Sequence, residues 1–293
     1  MSRKSQFEIF LPIIEKYFES LDTKSFSEKT LQEIYYNNSV IWETPSTKSA
    51  SDFISFLQKK GALSVTLFTD ESNNQKNIYS WKTKDDFTVM SGLKREAYYS
   101  HYSALFLHQL TLQIPKTFYL NFEHSSDMDS ARGKSSLTQS SIDKAFSGSQ
   151  RKTALAYSYN DVKIFILNGK KTGKLGVIKQ KNNVQCYEYT DIERTLIDIA
   201  VRPVYSGGVF EVLEAYKKAK GKINSKRLAD YLKALNFIYP YHQVIGFYLE
   251  KAGYSEADLK LFETEINFRF YLTYDIRNKS FSDRWQLYFP KGV

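Results

Sequence analysis

Apolar positions in the first 92 residues recur at helical spacing three times before the pattern turns to alternation. Phe10, Ile13, Ile14, Tyr17, Phe18 and Leu21 predict one apolar face on a helix from Phe7 to Leu21. Ser27 reads as the cap of a second helix carrying Leu31, Ile34 and Tyr35, with Asn37-Asn38 as its stop. A third follows Pro45, starts at about Thr47 or Ser49, buries Phe53, Ile54, Phe56 and Leu57, and ends at Gly61. LSVTLF (Leu63 to Phe68) and NIYSW (Asn77 to Trp81) then flank the polar DESNNQK as a hairpin. Helix, helix, helix, hairpin is the order of a winged helix. In that fold the third helix enters the major groove and the hairpin rests on the DNA backbone. The expected DNA contacts are therefore Lys48, Ser49, Ser51, Ser55 and Lys59, with Lys76 on the wing. Three helices and a hairpin also serve as dimerisation or docking modules, and both readings stand.

Residues 83–93 (TKDDFTVMSGL) predict a short polar connector. Beyond them helical and alternating segments interleave. Ser100 to Leu110 predicts a helix, Thr117 to Phe122 a strand, and 124–136 a polar, Ser-rich loop. Thr138 to Phe146 predicts a short helix, Thr153 to Tyr159 with Val162 to Leu167 a hairpin about Asn160-Asp161, and Val184 to Tyr189 another strand. Thr190 and Glu193, at capping-box spacing, open a helix ending near Arg202-Pro203. Ser206-Gly207-Gly208 opens the next, and further helices cover 225–235, 241–252 and 256–263, the last capped by Ser255 and Asp258. Phe268 to Tyr274 and Arg284 to Phe289 close the chain as strands. The expected fold class is α+β: an N-terminal winged helix-turn-helix domain at 1–92, then a larger mixed α+β domain at 93–293 with a helical C-terminal half.

Charge changes this picture through its distribution. The 293 residues carry +9, but residues 1–92 hold 11 Lys and Arg against 12 Asp and Glu, while residues 93–293 hold 30 against 20. A slightly acidic winged helix lacks the phosphate attraction that dominates DNA affinity. The basic excess forms two dense clusters, a candidate contact surface for a phosphate backbone or an acidic protein. One comprises Lys163, Lys170, Lys171, Lys174, Lys179 and Lys181, and the other Lys217, Lys218, Lys220, Lys222, Lys226 and Arg227, of which Lys217, Lys218, Lys222 and Arg227 are the expected contacts. A solvated face, with Glu214 and Lys218 as an i,i+4 pair, is the plainer alternative. Tyr159, Tyr187 and Tyr189 near the first cluster either stack on bases or pack in a sheet.

Composition and motifs exclude several classes. A 42% hydrophobic chain with only 13 Gly and 6 Pro is folded, not low-complexity. No apolar run reaches the roughly 18 residues of a membrane span, and the single Cys186 closes no internal disulfide, which points to the cytoplasm. GKKTGK (Gly169 to Lys174) has three residues between its glycines where a P-loop has four, and Leu175 where a P-loop has Ser or Thr. RGKSS at 132–136 lacks the upstream glycine and strand. Gly148-Ser149 with Asp161-Val162-Lys163 is like a two-metal transferase site, except that a lysine holds the second carboxylate's place. His101, His108, His124 and His242 lack the spacing and partners of a metal site, and no serine sits in a nucleophile elbow. No enzyme, metal or cofactor is expected.

Three passages carry a family likeness: YYSHYSALFLHQLT (Tyr98 to Thr111), TDIERTLIDIAVRPVYSGGVFEVLEAY (Thr190 to Tyr216) and YPYHQVIGFYLEKAGY (Tyr239 to Tyr254). In this order they resemble the AbiEi family, the antitoxin component of bacterial abortive-infection toxin-antitoxin systems, which serve in phage defence. The resemblance covers most of residues 93–293. It implies a winged helix acting as transcriptional repressor on the protein's own operator DNA, an inverted repeat upstream of its operon. A dimer presenting two recognition helices to that repeat would recover affinity through bivalency, and the oligomeric state stays open. It also implies a C-terminal domain that neutralises a nucleotidyltransferase toxin encoded alongside, without need of a stable complex. Neither cofactor nor membrane is implied. The alternative is a protein-docking or RNA-binding module with a degenerate winged helix and a basic second domain. Under the repressor reading, DNA affinity falls more steeply with salt for the whole chain than for residues 1–92. The family-like residues also have structural readings: Glu193 reciprocates the Thr190 cap, Arg194 bridges to a carboxylate, and Asp198 lies one turn on.

Overall fold

A computed structural model describes residues 5–124 and 137–293. The fold is mixed α+β with a helical C-terminal segment, and it divides into two compact units. The first comprises residues up to Ala97 together with 155–164 and 179–188, and the second comprises the remainder.

The first unit begins α1 (Gln6–Ser20), β1 (Ser25–Ser27), α2 (Glu28–Asn38), α3 (Ala50–Lys59), β2 (Leu63–Asp70) and β3 (Gln75–Trp81). The caps explain the helix boundaries. Ser5 and Glu8 form a capping box on α1, Ser27 accepts from the Thr30 N–H at the start of α2, and Ser49 and Asp52 form a second box on α3. Between the helices lies an aromatic core in which Phe18 stacks on Trp81 at 4.4 Å and Phe53 stacks on Trp42 at 5.2 Å. The hairpin β2–β3 is joined by β1, which runs antiparallel to β3 from Ser25↔Ser80 to Ser27↔Ile78.

The 83–93 segment is not a connector. It contains α4 (Asp86–Ser91), capped by Asp85, with Thr88, Val89 and Met90 buried. The domain boundary expected after residue 92 accordingly falls after Ala97, and the first unit also takes in two later hairpins. One is β6 (Ala156–Tyr159) with the start of β7 (Val162–Gly169), β6 pairing with β2 at Thr69↔Ser158. The other is the end of β8 (Val177–Lys181) with the start of β9 (Cys186–Thr190). There the Cys186 N–H donates to the Thr88 hydroxyl at 2.8 Å and the Thr83 hydroxyl donates to the Val184 carbonyl at 2.7 Å.

The second unit contains β4 (Tyr98–Tyr99), α5 (His101–Leu107), β5 (Thr117–Glu123) and α6 (Gln139–Phe146). Later come α7 (Ile192–Val201), α8 (Val209–Ala219), α9 (Ser225–Leu235), α10 (Tyr241–Lys251) and α11 (Glu256–Lys260). Strand β4 pairs antiparallel with β5 and parallel with β9. Because β7, β8 and β9 pass from one unit into the other, nine strands follow the order β1-β3-β2-β6-β7-β5-β4-β9-β8. A separate three-stranded sheet, β10 (Phe270–Tyr271), β12 (Leu287–Pro290) and β11 (Lys279–Ser282), ends the chain. Its neighbour Trp285 lies against α10 at Gly246, where a Cβ would come within 2.2 Å of the indole.

Two local expectations are corrected. The Thr190–Glu193 box does not form, because Thr190 still belongs to β9 and Asp191 caps α7 instead, accepting from the Arg194 N–H at 2.8 Å. Glu193, 1% exposed, accepts from the Asn224 N–H at 2.8 Å and from the Arg227 guanidinium at 2.6 Å. The closing strands are also shorter than the alternation predicts. The expected loop over 124–136, including RGKSS at 132–136, lies outside the described residues from 125 onward.

Candidate functional site

On α3, Ser51, Ser55 and Lys59 form one exposed row at i, i+4 spacing, and Lys48 is exposed just ahead of the helix. Two of the six expected contacts are otherwise engaged. The Ser49 hydroxyl accepts from the Asp52 N–H at 3.1 Å and donates to its carboxylate at 2.9 Å, so it serves as a cap. Backbone and side-chain donors of Ser49 hold the Asp52 carboxyl below its ordinary value, which keeps a negative charge beside the row. Lys76 is turned inward. Its ammonium donates to the Leu93 carbonyl at 2.6 Å and lies over the Tyr157 ring, and burial pushes its pKa down.

The first basic cluster does not form one surface. Lys163, Lys179 and Lys181 belong to the first unit, where Lys163 pairs with Glu71 at 2.5 Å and the other two share Asp22 at 3.0 and 2.9 Å. Lys170, Lys171 and Lys174 belong to the second unit. They lie on the GKKTGK loop, whose Thr172 and Lys174 N–H groups converge on the Glu123 carboxylate at 2.8 and 3.2 Å. An acidic side chain of the protein thus fills the place that a phosphate takes in a true phosphate loop. In the second cluster Arg227 pairs with Glu193 and Lys217 with Glu214 at 2.7 Å, an i,i+3 pair in place of the expected Glu214–Lys218 contact. Lys218 and Lys222 pair with no carboxylate among the described residues. The three tyrosines pack on neighbouring rings: Tyr159 on Phe68, Tyr187 on Phe87 and Tyr189 on His108.

The second unit also holds a cleft of about 330 Å³ that sequence reasoning did not anticipate. Arg194, Asp198 and Arg202 project from α7 and its end at positions four apart, so all three share one face, and all three line the cleft. Arg194 donates to Asp198 at 2.9 Å and to the Leu175 carbonyl at 2.7 Å, and both members of the pair are nearly buried. Desolvation pushes the Asp198 carboxyl up despite its cationic partner. His101, 5% exposed with φ of +53°, reaches the cleft from the first residue of α5. Its Nδ1 lies 2.9 Å from the Ser100 hydroxyl, and burial, then the charges of Arg202 and Arg194, depress its pKa well below 6.5. Phe237, Tyr239, Tyr241 and Tyr274 supply aromatic wall. The signal available in the sequence was the Arg-x3-Asp-x3-Arg spacing, of which only the first two members attract notice without the fold.

No protein-family model and no curated protein matches the chain. Among solved structures the chain is similar to the RV2827C protein of Mycobacterium tuberculosis. The TM-score is 0.50 at 12% identity, with 96% of this chain and 91% of that one covered. At that identity the likeness is one of fold alone. Among the described residues no helix is long and apolar enough to cross a membrane.

Proposed function

We propose that this chain is an AbiEi-like antitoxin, which represses its own operon through the first unit and neutralises a nucleotidyltransferase toxin through the second. The observation that carries the repressor half is the pairing of β1 with β3. It gives the order α1-β1-α2-α3-β2-β3 with β1-β3-β2 at one end of the nine-stranded sheet, which supports the winged-helix reading, and leaves the Ser51–Ser55–Lys59 row exposed. Support for the antitoxin half comes from the three family-like passages, which meet in one core. The His108 ring bonds the Thr190 carbonyl at 2.7 Å, Tyr216 donates to the Leu196 carbonyl at 3.1 Å, and Tyr216 stacks on Tyr248 at 5.1 Å.

A second reading, a docking module without DNA, is favoured by the ion pairs that occupy the first unit's lysines: Lys60 with Glu8, Lys82 with Glu15, Lys163 with Glu71. The test uses the full chain. Retention of its own upstream DNA is measured against random DNA, alongside growth of cells expressing the adjacent reading frame. The antitoxin reading expects specific retention, a loss of about tenfold or more in a Ser55→Glu/Lys59→Glu variant, and growth rescue by both proteins. Equal retention of both DNAs together with no rescue would leave the docking module.

A further inference from the structure

We propose that the cleft of the second unit binds a nucleoside phosphate, with the phosphate held by Arg202, Lys170 and His101 and the base against the aromatic wall. This stands apart from the antitoxin reading and does not depend on it. Three cations line the cleft, Lys170, Arg194 and Arg202, against one carboxylate, Asp198. That carboxylate accepts from Arg194 Nε, while Arg194 Nη1 donates to the Leu175 carbonyl and the Thr172 hydroxyl. Arg202 is exposed and pairs with no carboxylate among the described residues. The Lys170 ammonium lines the same cleft and donates to the Leu235 and Asn236 carbonyls at 3.5 and 3.4 Å, which adds a positive charge to its wall.

His101 is the second, independent observation. Its ring is buried and lines the cleft, yet only Nδ1 has a hydrogen-bond partner among the described residues; Nε2 has none. A buried imidazole with one nitrogen unpartnered at a cavity wall is placed to bond a ligand. Its φ of +53° is a conformation that non-glycine residues seldom keep unless the surroundings fix it, and such strain gathers at ligand sites. These three groups come from three elements and converge on one cavity. A bare phosphate would leave the half-buried rings of Phe237, Tyr239 and Tyr274 facing water, whereas a base covers them. The cavity volume of about 330 Å³ suits one nucleotide, either free or as the phosphate-bearing end of a strand.

The test is calorimetric titration of the full chain with AMP, adenosine and inorganic phosphate. AMP is expected to bind about tenfold or more tighter than either, the worth of one or two charge-assisted hydrogen bonds. Arg202→Gln is expected to remove that advantage while leaving adenosine affinity and the thermal midpoint unchanged. Should Arg202→Gln unfold the chain, Lys170→Gln carries the same expectation. Adenosine binding as tightly as AMP, or AMP affinity unchanged in a folded variant, overturns the proposal. A 5′-phosphorylated trinucleotide titrated in parallel separates the sources: tighter binding than AMP assigns a strand end, weaker binding a free nucleotide.

Discussion

His101 opens α5 with a positive φ, and its ring is neutral because burial and two guanidinium groups oppose protonation. His108 and His242 are pushed in the same direction by desolvation. The unfolded chain takes up protons near pH 6.5, and these folded imidazoles take them up at lower pH. Stability is therefore full above that pH and falls as pH drops below it, by up to about 1.4 kcal/mol per pH unit for each suppressed group. Asp191 and Asp198, whose carboxyls are pushed up by burial, act in the opposite sense as acid approaches their range. A difference measurement isolates the histidine. We predict that His101→Asn, which keeps a residue tolerant of positive φ, shows a shallower loss of unfolding free energy than the parent between pH 7 and 5. Parallel denaturation series with identical slopes would show that His101 titrates normally in the folded chain.

The β8–β9 hairpin is held in the first unit by a few polar contacts, and Cys186 reports on them. The Cys186 N–H donates to Thr88, its thiol donates to the Asp22 carbonyl at 3.3 Å, and burial pushes the thiol pKa up. Alkylation of the native chain should therefore wait on opening of the hairpin and run about a hundredfold or more slower than in denaturant. Thr88→Val removes the oxygen that receives the Cys186 N–H, and labelling should accelerate severalfold; an unchanged rate would mean that the hairpin is held elsewhere. Elements of this size mark the limit of what could be read in advance. Some side-chain caps were legible to the residue, as at Ser27 on α2 or Ser255 and Asp258 on α11, whereas the start of α3 was readable only as about Thr47 or Ser49. The three-residue β1 and the four-residue β11 are too short to alternate, and α4 buries the contiguous Thr88, Val89 and Met90 where a periodic face was sought. The cleft eluded the sequence for a different reason. The spacing on α7 is local, but His101 and Lys170 reach it from distant segments that only the fold brings together.

On the scale of the whole molecule, the discontinuous first unit alters both the charge balance and the experiment that reads it. With residues 93–97, 155–164 and 179–188 included, the first unit holds 16 Lys and Arg against 15 Asp and Glu, and the second holds 25 against 17. The first is thus nearly neutral instead of acidic, and a fragment of residues 1–92 lacks two of its hairpins, so the salt comparison belongs within the full chain. Each lysine or arginine that neutralises a phosphate contributes about −0.9 to the slope of log affinity against log salt. Lys48 and Lys59 flank the exposed face of α3 and pair with no carboxylate among the described residues. A dimer touching DNA through those residues alone would show a slope of about −4. We predict a steeper slope for the full chain on its own upstream DNA, made shallower by Lys171→Gln/Lys218→Gln/Lys222→Gln, since those three cations in the second unit also pair with no described carboxylate. A titration from 50 to 200 mM salt checks both parts. A slope near −4 that the triple variant leaves unmoved would confine DNA contact to the first unit and reserve the basic surface of the second for another partner.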